Sequence, residues 1–142
     1  FEPYGDIDVK SGPLRGIDID EEHIPGIIDE LPIIFVLASL ARGRTVIRGA
    51  GELRVKETDR IVSMKENLEK MGGRVSVSGD KIVIEGVERL RGARVKSYGD
   101  HRTCMAMAIA ALTARGASSI DDIVCVNKSF PEFFRLLDNL KC

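Results

Sequence analysis

Cationic side chains cluster where the sequence predicts that helices begin. Residues 54–60 (Arg-Val-Lys-Glu-Thr-Asp-Arg) directly precede an amphipathic helical pattern, with Thr58 as the predicted N-cap. Lys56 and Arg60 would then lie at the positive end of a helix dipole, where each cation costs about 0.3 kcal/mol or more. A bound phosphate or carboxylate would reverse the sign of that cost, because free N–H groups and both cations would point at it. The alternative is that both are solvated surface residues.

The same unfavourable placement recurs before a second helix. Asp100 is a predicted N-cap, and His101 and Arg102 follow it at the start of a small, apolar helix over residues 103–115. Two helix starts that both carry cations favour anion binding over the solvated alternative.

A third predicted helix begins with acids. Residues 27–42 are apolar on every side, which predicts a buried helix that starts near residues 29–31 and is closed by Gly43. Asp29 and Glu30 stand at its entrance. They either complement the helix dipole or supply a general base.

Composition excludes several classes of function. The 142 residues are 44% hydrophobic and 30% charged with a net charge of −1, which predicts a single globular domain over residues 1–142 and no nucleic-acid partner held by bulk electrostatics. No apolar run is long enough to span a membrane and no signal peptide is evident, so we expect a cytoplasmic protein. Cys104, Cys125 and Cys142 lack metal-ligand spacing and are expected to be reduced, mostly buried thiols. The start on Phe1, without Met, suggests a piece of a longer polypeptide.

The remaining patterns predict an α/β protein. Residues 5–19 are expected to form a hairpin, and further strands are expected at 45–48, 74–78, 81–85, 92–97 and 117–123. Gly79-Asp80 predicts a type I′ turn between two of these strands. Residues 124–129 form a predicted loop that carries Lys128, and a last helix is expected over residues 130–140.

The chain contains an internal repeat. Ala41-Arg42-Gly43 recurs 73 residues later as Ala114-Arg115-Gly116, and Lys56 matches Lys128 at an offset of 72. We therefore predict two units, roughly residues 20–86 and 87–142, after the hairpin at 5–19. Repeat-equivalent basic loops and helix starts would bring Lys56, Arg60, Arg102 and Lys128 to one face, with net positive potential.

Four motifs together resemble the C-terminal domain of the 5-enolpyruvylshikimate-3-phosphate synthase family. They occur in the family's order and cover essentially the whole chain: Ile28-Asp29-Glu30-Leu31-Pro32, Leu53-Arg54-Val55-Lys56-Glu57-Thr58-Asp59-Arg60, Gly99-Asp100-His101-Arg102 and Lys128-Ser129-Phe130-Pro131. The resemblance implies an inside-out α/β barrel of repeated βαβαββ units with buried helices. It also implies that an N-terminal domain is missing from this chain.

The resemblance further implies a reaction: the enolpyruvyl group of phosphoenolpyruvate is transferred to the 5-hydroxyl of shikimate 3-phosphate and phosphate is released. It proceeds by addition and elimination, with no metal or organic cofactor. Asp29 is implied as the proton acceptor and as a shikimate ligand, and Glu57 as a proton-transfer residue. Lys56 would contact the shikimate phosphate substrate and the reacting centre.

The phosphoenolpyruvate ligands implied by the family are Arg60, Arg102 and Lys128, with His101 in support. Glu52 occupies a substrate-ligand position at which some family members carry Asn. Two other functions stay open at this point: a non-catalytic anion-binding module on the same scaffold, and a relative that acts on UDP-N-acetylglucosamine. The chain alone is expected to be inactive and monomeric.

Overall fold

The structure is a computed structural model that describes residues 4–140. The prediction for Cys142 therefore lies outside the described residues. The helices are α1 (Ile24–Ile27), α2 (Leu31–Leu40), α3 (Arg60–Lys70), α4 (His101–Thr113) and α5 (Phe133–Asn139). The strands are β1 (Asp18–Ile19), β2 (Arg44–Ile47), β3 (Arg74–Ser78), β4 (Lys81–Glu85), β5 (Arg94–Val95) and β6 (Ser119–Ile120).

The strands form two sheets. The larger sheet has the order β1-β2-β4-β3, with β1 parallel to β2 and the other two pairs antiparallel. The smaller sheet pairs β5 with β6 in parallel. The predicted hairpin of β3 and β4 is confirmed, but only Gly79 of its two turn residues has positive φ, at 59°. Positive φ at the first position alone is the requirement of a type II′ turn, so the type I′ prediction was wrong.

The helices α2 and α4 pack against each other at the centre of the fold. Leu31 and Phe35 of α2 and Met107 of α4 are fully buried, and α3 and β4 also contact α2. The prediction of a buried, all-round apolar α2 holds for most of its residues, with Leu37 an exception at 43% exposure. Because α2 is buried around most of its circumference, it has no polar stripe facing solvent.

The predicted hairpin over residues 5–19 is not formed. Residues 4–14 contain no strand, and β1 pairs with β2 in parallel. Backbone bonds fix this pairing: Val46 N–H donates to Ile17 O at 2.9 Å and Arg48 N–H to Ile19 O at 3.0 Å. The alternating pattern near Ile7 was misleading because that segment has no partner strand, and the Ile7 side chain is exposed.

Several other element boundaries differ from the sequence prediction. The strands expected at 92–97 and 117–123 shrink to two residues each, and α5 begins only at Phe133. The expected loop at 124–129 is largely the 3-10 helix Val124–Lys128, and a second such helix, Ala50–Val55, precedes α3.

Corresponding backbone bonds occur around the two parallel strand pairs. Gly16 N–H donates to Arg42 O, and Gly92 N–H donates to Arg115 O, both at 2.9 Å. An isolated parallel bridge joins Arg15 to Arg42, and another joins Arg91 to Arg115. The chain therefore makes the same kind of backbone contacts just after α2 as it makes just after α4.

No single helix within residues 4–140 has the length and apolar character to cross a membrane. The segments Glu21–Ile27 and Leu31–Leu40 meet that standard only when taken together, and the chain bends by 115° between them.

Candidate functional site

Arg60, the first residue of α3, is the centre of the candidate site. Its side chain is only 2% exposed, and each of its three nitrogen groups contacts a different carboxylate. Nε donates to Asp100 at 2.9 Å, one terminal nitrogen donates to Asp29 at 3.1 Å, and the other donates to Glu57 at 2.6 Å. A buried guanidinium requires this compensation, because an unpaired charge away from water is very costly.

Asp100 connects Arg60 to the start of α4. Its carboxylate is fully buried, with one oxygen on Arg60 and the other accepting the Thr103 N–H at 2.7 Å. The predicted N-cap role of Asp100 is thus confirmed. The N-cap of α3 is Asp59, which accepts the Val62 N–H at 3.0 Å, so the prediction of Thr58 was wrong.

Asp29 lies between two arginines. One carboxylate oxygen pairs with Arg60, and the other lies 3.3 Å from a terminal nitrogen of Arg102. Arg102 also donates to the backbone carbonyl of Asp29 at 2.8 Å and lies 3.8 Å from Glu30. The Asp29 side chain is 44% exposed, so the carboxylate that joins the two guanidinium groups is open to solvent on one side.

The helices α3 and α4 are joined directly below this cluster. The buried hydroxyls of Ser63 and Thr103 share a hydrogen bond of 3.2 Å. Asn67 of α3 then brackets the backbone of Lys96: its amide group donates to Lys96 O at 2.7 Å and accepts the Lys96 N–H at 2.9 Å. These contacts hold the start of α4 in register with α3.

The loop that leads into α4 is held from both sides. Tyr98 has a φ of 56°, unusual for a residue with a side chain, and its hydroxyl donates to Glu66 of α3. Desolvation, and then that bond to Glu66, raise the pKa of Tyr98 to about 12. On the other side, Asp121 accepts the Ser97 N–H at 2.7 Å. Desolvation would raise the pKa of Asp121, but backbone N–H bonds outweigh it and lower the pKa.

Lys56 pairs with Glu52, a residue whose role the family resemblance left open. Its ammonium donates to Glu52 at 2.8 Å, and its side chain is 23% exposed. Nearby, Arg54 donates to Asp59 at 3.1 Å and to Gly79 O at 3.0 Å, which ties the segment before α3 to the β3–β4 turn. Glu52 therefore acts in this chain as the partner of Lys56.

The last two predicted site residues make no such contacts. His101 is half-buried as the first residue of α4, and Lys128 is exposed at the end of the 3-10 helix that packs against α4. Neither side chain makes a hydrogen bond or ion pair within residues 4–140. The structure brings Arg60 and Arg102 together on Asp29, whereas convergence of Lys56 and Lys128 on them stays a prediction.

Around Arg60 and Arg102 themselves positive charge is not in excess, whereas net positive potential of the full four-cation cluster stays a prediction. Two guanidinium groups share three carboxylates, from Asp29, Glu57 and Asp100. An anion that binds Arg60 must displace Glu57 or Asp29, since the guanidinium itself is buried. Sequence reasoning missed Asp100 as an ion-pair partner because its role as an N-cap already explained its presence.

A small cavity adjoins Asp29, the carboxylate that Arg60 and Arg102 share. It has a volume of about 190 Å³ and is lined by Asp29 and Arg102 together with apolar groups such as Ile33 and Phe133. A larger groove of about 710 Å³ lies elsewhere, between β1, α1 and α2. Within the described part of the chain, no group of three or more acidic, His or Cys side chains is arranged to hold a metal ion.

Comparisons with known proteins give a consistent result. A family model described as EPSP synthase (3-phosphoshikimate 1-carboxyvinyltransferase) matches residues 2–137. The 3-phosphoshikimate 1-carboxyvinyltransferases of Geobacter sulfurreducens and Geobacter metallireducens are 49% and 50% identical to this chain over 139 residues. Each match covers 98% of this chain but 32% of the relative, so the chain spans about a third of their length.

A solved structure of EPSP synthase from Acinetobacter baumannii superimposes with a TM-score of 0.85 at 38% identity. That match covers 89% of this chain and 30% of the other. The mixed α/β fold is thus shared with EPSP synthase structures.

Proposed function

We propose, since this chain belongs to the EPSP synthase family, that the polypeptide carrying it transfers the enolpyruvyl group of phosphoenolpyruvate to the 5-hydroxyl of shikimate 3-phosphate and releases phosphate. The chain would supply two βαβαββ units, at roughly 20–86 and 87–142, of an inside-out barrel domain. The corresponding backbone bonds after α2 and after α4 support this division. The cytoplasmic, monomeric state stays a prediction.

The observation that carries the proposal is the position of Asp29 between Arg60 and Arg102. An anionic substrate entering here competes with Asp29 for the guanidinium groups, which grip carboxylate or phosphate through paired N–H donors. As the arginines turn to the substrate, the Asp29 carboxylate is left with a free oxygen. It then accepts the proton of the attacking hydroxyl as the new C–O bond forms.

Glu57 is released by the same exchange, because it too is held by Arg60. We assign it to proton transfer at the methylene carbon. Lys56, once detached from Glu52, would neutralise the shikimate phosphate and the reacting centre. His101 and Lys128 are assigned to the phosphoenolpyruvate side of the site. These roles require no metal or organic cofactor.

An apolar groove away from the candidate site offers a surface for the rest of the polypeptide. The groove of about 710 Å³ is lined mainly by apolar groups of residues 14–19 and of α2, among them Ile17 (56% exposed) and Leu37. Apolar surface of this extent is normally covered. We propose that part of the remaining two thirds of the polypeptide covers it, and that the chain alone does not turn over.

The test is phosphate release by the complete polypeptide from phosphoenolpyruvate and shikimate 3-phosphate, compared between Asp29→Asn and Glu30→Gln. The two acids are adjacent and both contact Arg102, so the second variant controls for loss of a neighbouring charge. We expect kcat to fall on the order of 100-fold or more for Asp29→Asn and to change by less than about threefold for Glu30→Gln. Equal effects would remove Asp29 from the chemistry, and no turnover by the unaltered polypeptide would remove the proposed function.

A further inference from the structure

The arginines of this chain divide into two groups with different surroundings. Five of the thirteen form ion pairs with carboxylates at 3.3 Å or less; they are Arg48, Arg54, Arg60, Arg102 and Arg135. The other eight are all exposed, and within residues 4–140 one ion pair is found among them, Arg74 to Glu85 at 4.0 Å. These eight are Arg15, Arg42, Arg44, Arg74, Arg89, Arg91, Arg94 and Arg115.

The second group lies at one end of the fold. The strands β2, β3 and β5 each begin with one of these arginines, and β4 ends beside them at Glu85. Backbone bonds join the segments: Arg91 N–H donates to Met71 O at 2.8 Å and Gly86 N–H to Gly43 O at 2.9 Å. We call this surface the arginine face and define it as residues 14–16, 41–44, 72–74, 85–94 and 114–117.

The arginine face is opposite the candidate site. The candidate site lies at the N-terminal ends of α2, α3 and α4, and the arginine face at their C-terminal ends. Helices of 10 to 13 residues separate the two by about 15–20 Å. The face therefore cannot take part in the reaction proposed above.

The negative C-terminal ends of the helix dipoles offset only part of the positive charge on the arginine face. Three helix C-termini contribute together about −1.5 charges. The face carries eight arginines and two glutamates, Glu85 and Glu88, a formal charge of +6. The side chain of Arg91 lies over Gly72, just after the C-terminal end of α3. Within residues 4–140, most of the charge is left without a compensating group.

We propose that the arginine face binds the acidic surface of another protein. Its residues are arginines and not lysines, and the planar guanidinium binds carboxylates through two parallel hydrogen bonds. The four strands of the larger sheet spread these arginines over about 15 Å, the width of three inter-strand gaps.

A nucleic acid fits this surface less well. The residues of this chain outside the face carry a net charge of −7, so a polyanion that continued over them would meet repulsion. The arginine face also contains no aromatic residue on which a base could stack. A compact acidic partner avoids both problems.

The experiment measures binding of poly-L-glutamate and of a short DNA duplex of matched charge to the complete polypeptide that carries this chain. The test variant is Arg44→Gln/Arg89→Gln/Arg94→Gln, which removes three exposed charges and leaves the arginines that follow helix ends in place. The matched control is Lys10→Gln/Lys81→Gln/Lys96→Gln, which removes the same charge from exposed lysines off the face. Neither variant touches the candidate site, so phosphate release checks that both fold.

We expect poly-L-glutamate to bind more tightly than the duplex, with an affinity that falls as salt rises. The arginine variant should weaken this binding about tenfold, and the lysine variant less than about twofold. Equal losses in the two variants, or no binding by the unaltered protein, would overturn the proposal. Tighter binding of the duplex would replace the protein partner with a phosphate polyanion. Self-association that the arginine variant abolishes would identify the occupant as a second copy.

Discussion

Replacement of Asp100 tests whether the arrangement around Arg60 holds the fold together. Asp100→Ala removes two contacts at once: the cap on the Thr103 N–H and the buried ion pair with Arg60. Loss of an N-cap costs about 1 kcal/mol, and loss of one partner of a buried ion pair about 3–5 kcal/mol. Arg60 keeps Asp29 and Glu57, whose side chains are about half exposed, so the ion-pair loss should lie near the lower limit. We expect a total of about 4 kcal/mol.

Two further variants separate these contributions. Asp100→Asn retains an oxygen that can cap α4 but loses the charge, so its cost should be smaller, about 2 kcal/mol. Asp59→Ala removes an equivalent cap from α3, at a site where the side chain is 32% exposed and its arginine partner lies at the surface. Its cost should be about 1 kcal/mol.

The free energy of unfolding of this chain, measured by urea denaturation, gives all three values. The essential comparison is Asp100→Ala against Asp59→Ala, because both lose a cap and only the first leaves a buried guanidinium short of a carboxylate. A difference below about 1 kcal/mol would show that Arg60 does not depend on Asp100. The interpretation of this cluster as a compensated buried charge would then be wrong.

Two other predictions concern packing and pH. Gly16→Ala and Gly92→Ala each place a Cβ 2.2 Å from a backbone carbonyl oxygen, so both should destabilise the chain by about 2 kcal/mol or more in urea denaturation, whereas Gly12→Ala, which meets nothing within 4 Å, should not. Burial, and then the neighbouring Cys125 thiol, raise the pKa of Cys104 from 9.0 to about 12. A raised pKa in the folded state stabilises fully below pH 9 and less as pH rises towards 12, so Cys104→Ala should flatten the fall in unfolding free energy over that range. An unchanged slope would contradict this role of Cys104.

Local features of the fold were predictable because their causes are local. The cap of α4 followed from Asp100 standing before an apolar helix, and the β3–β4 hairpin followed from Gly79-Asp80 between alternating segments. The hairpin expected at residues 5–19 failed because β1 pairs with β2, whose residues lie 28 positions further along the chain. A strand pattern does not state its partner, and a parallel partner is distant in sequence.

The candidate site shows the same limit. The cationic helix starts and the acid at Asp29 were visible in the sequence, and the structure joins Arg60 and Arg102 through that acid. The carboxylates on Arg60 include two that are 31 and 40 residues away, which no local pattern reveals. Burial of the guanidinium, which decides its need for carboxylate partners and its access to ligands, is a tertiary property.

Helix dipoles favour positive charge at the end of the fold opposite the candidate site, although they offset only about −1.5 of the +6 carried by the arginine face. At the N-termini of α3 and α4 the dipole adds to the charge of Arg60 and Arg102, so carboxylates are needed there even without a ligand. At the C-termini the dipole has the opposite sign, and exposed arginines such as Arg42 and Arg115 are tolerated without an acidic neighbour. A substrate anion at the candidate site must therefore exchange places with an internal carboxylate. At the arginine face it would meet no such competitor, which makes the two ends separable by experiment: removal of Asp29 alters binding only at the first, and removal of Arg44, Arg89 and Arg94 only at the second.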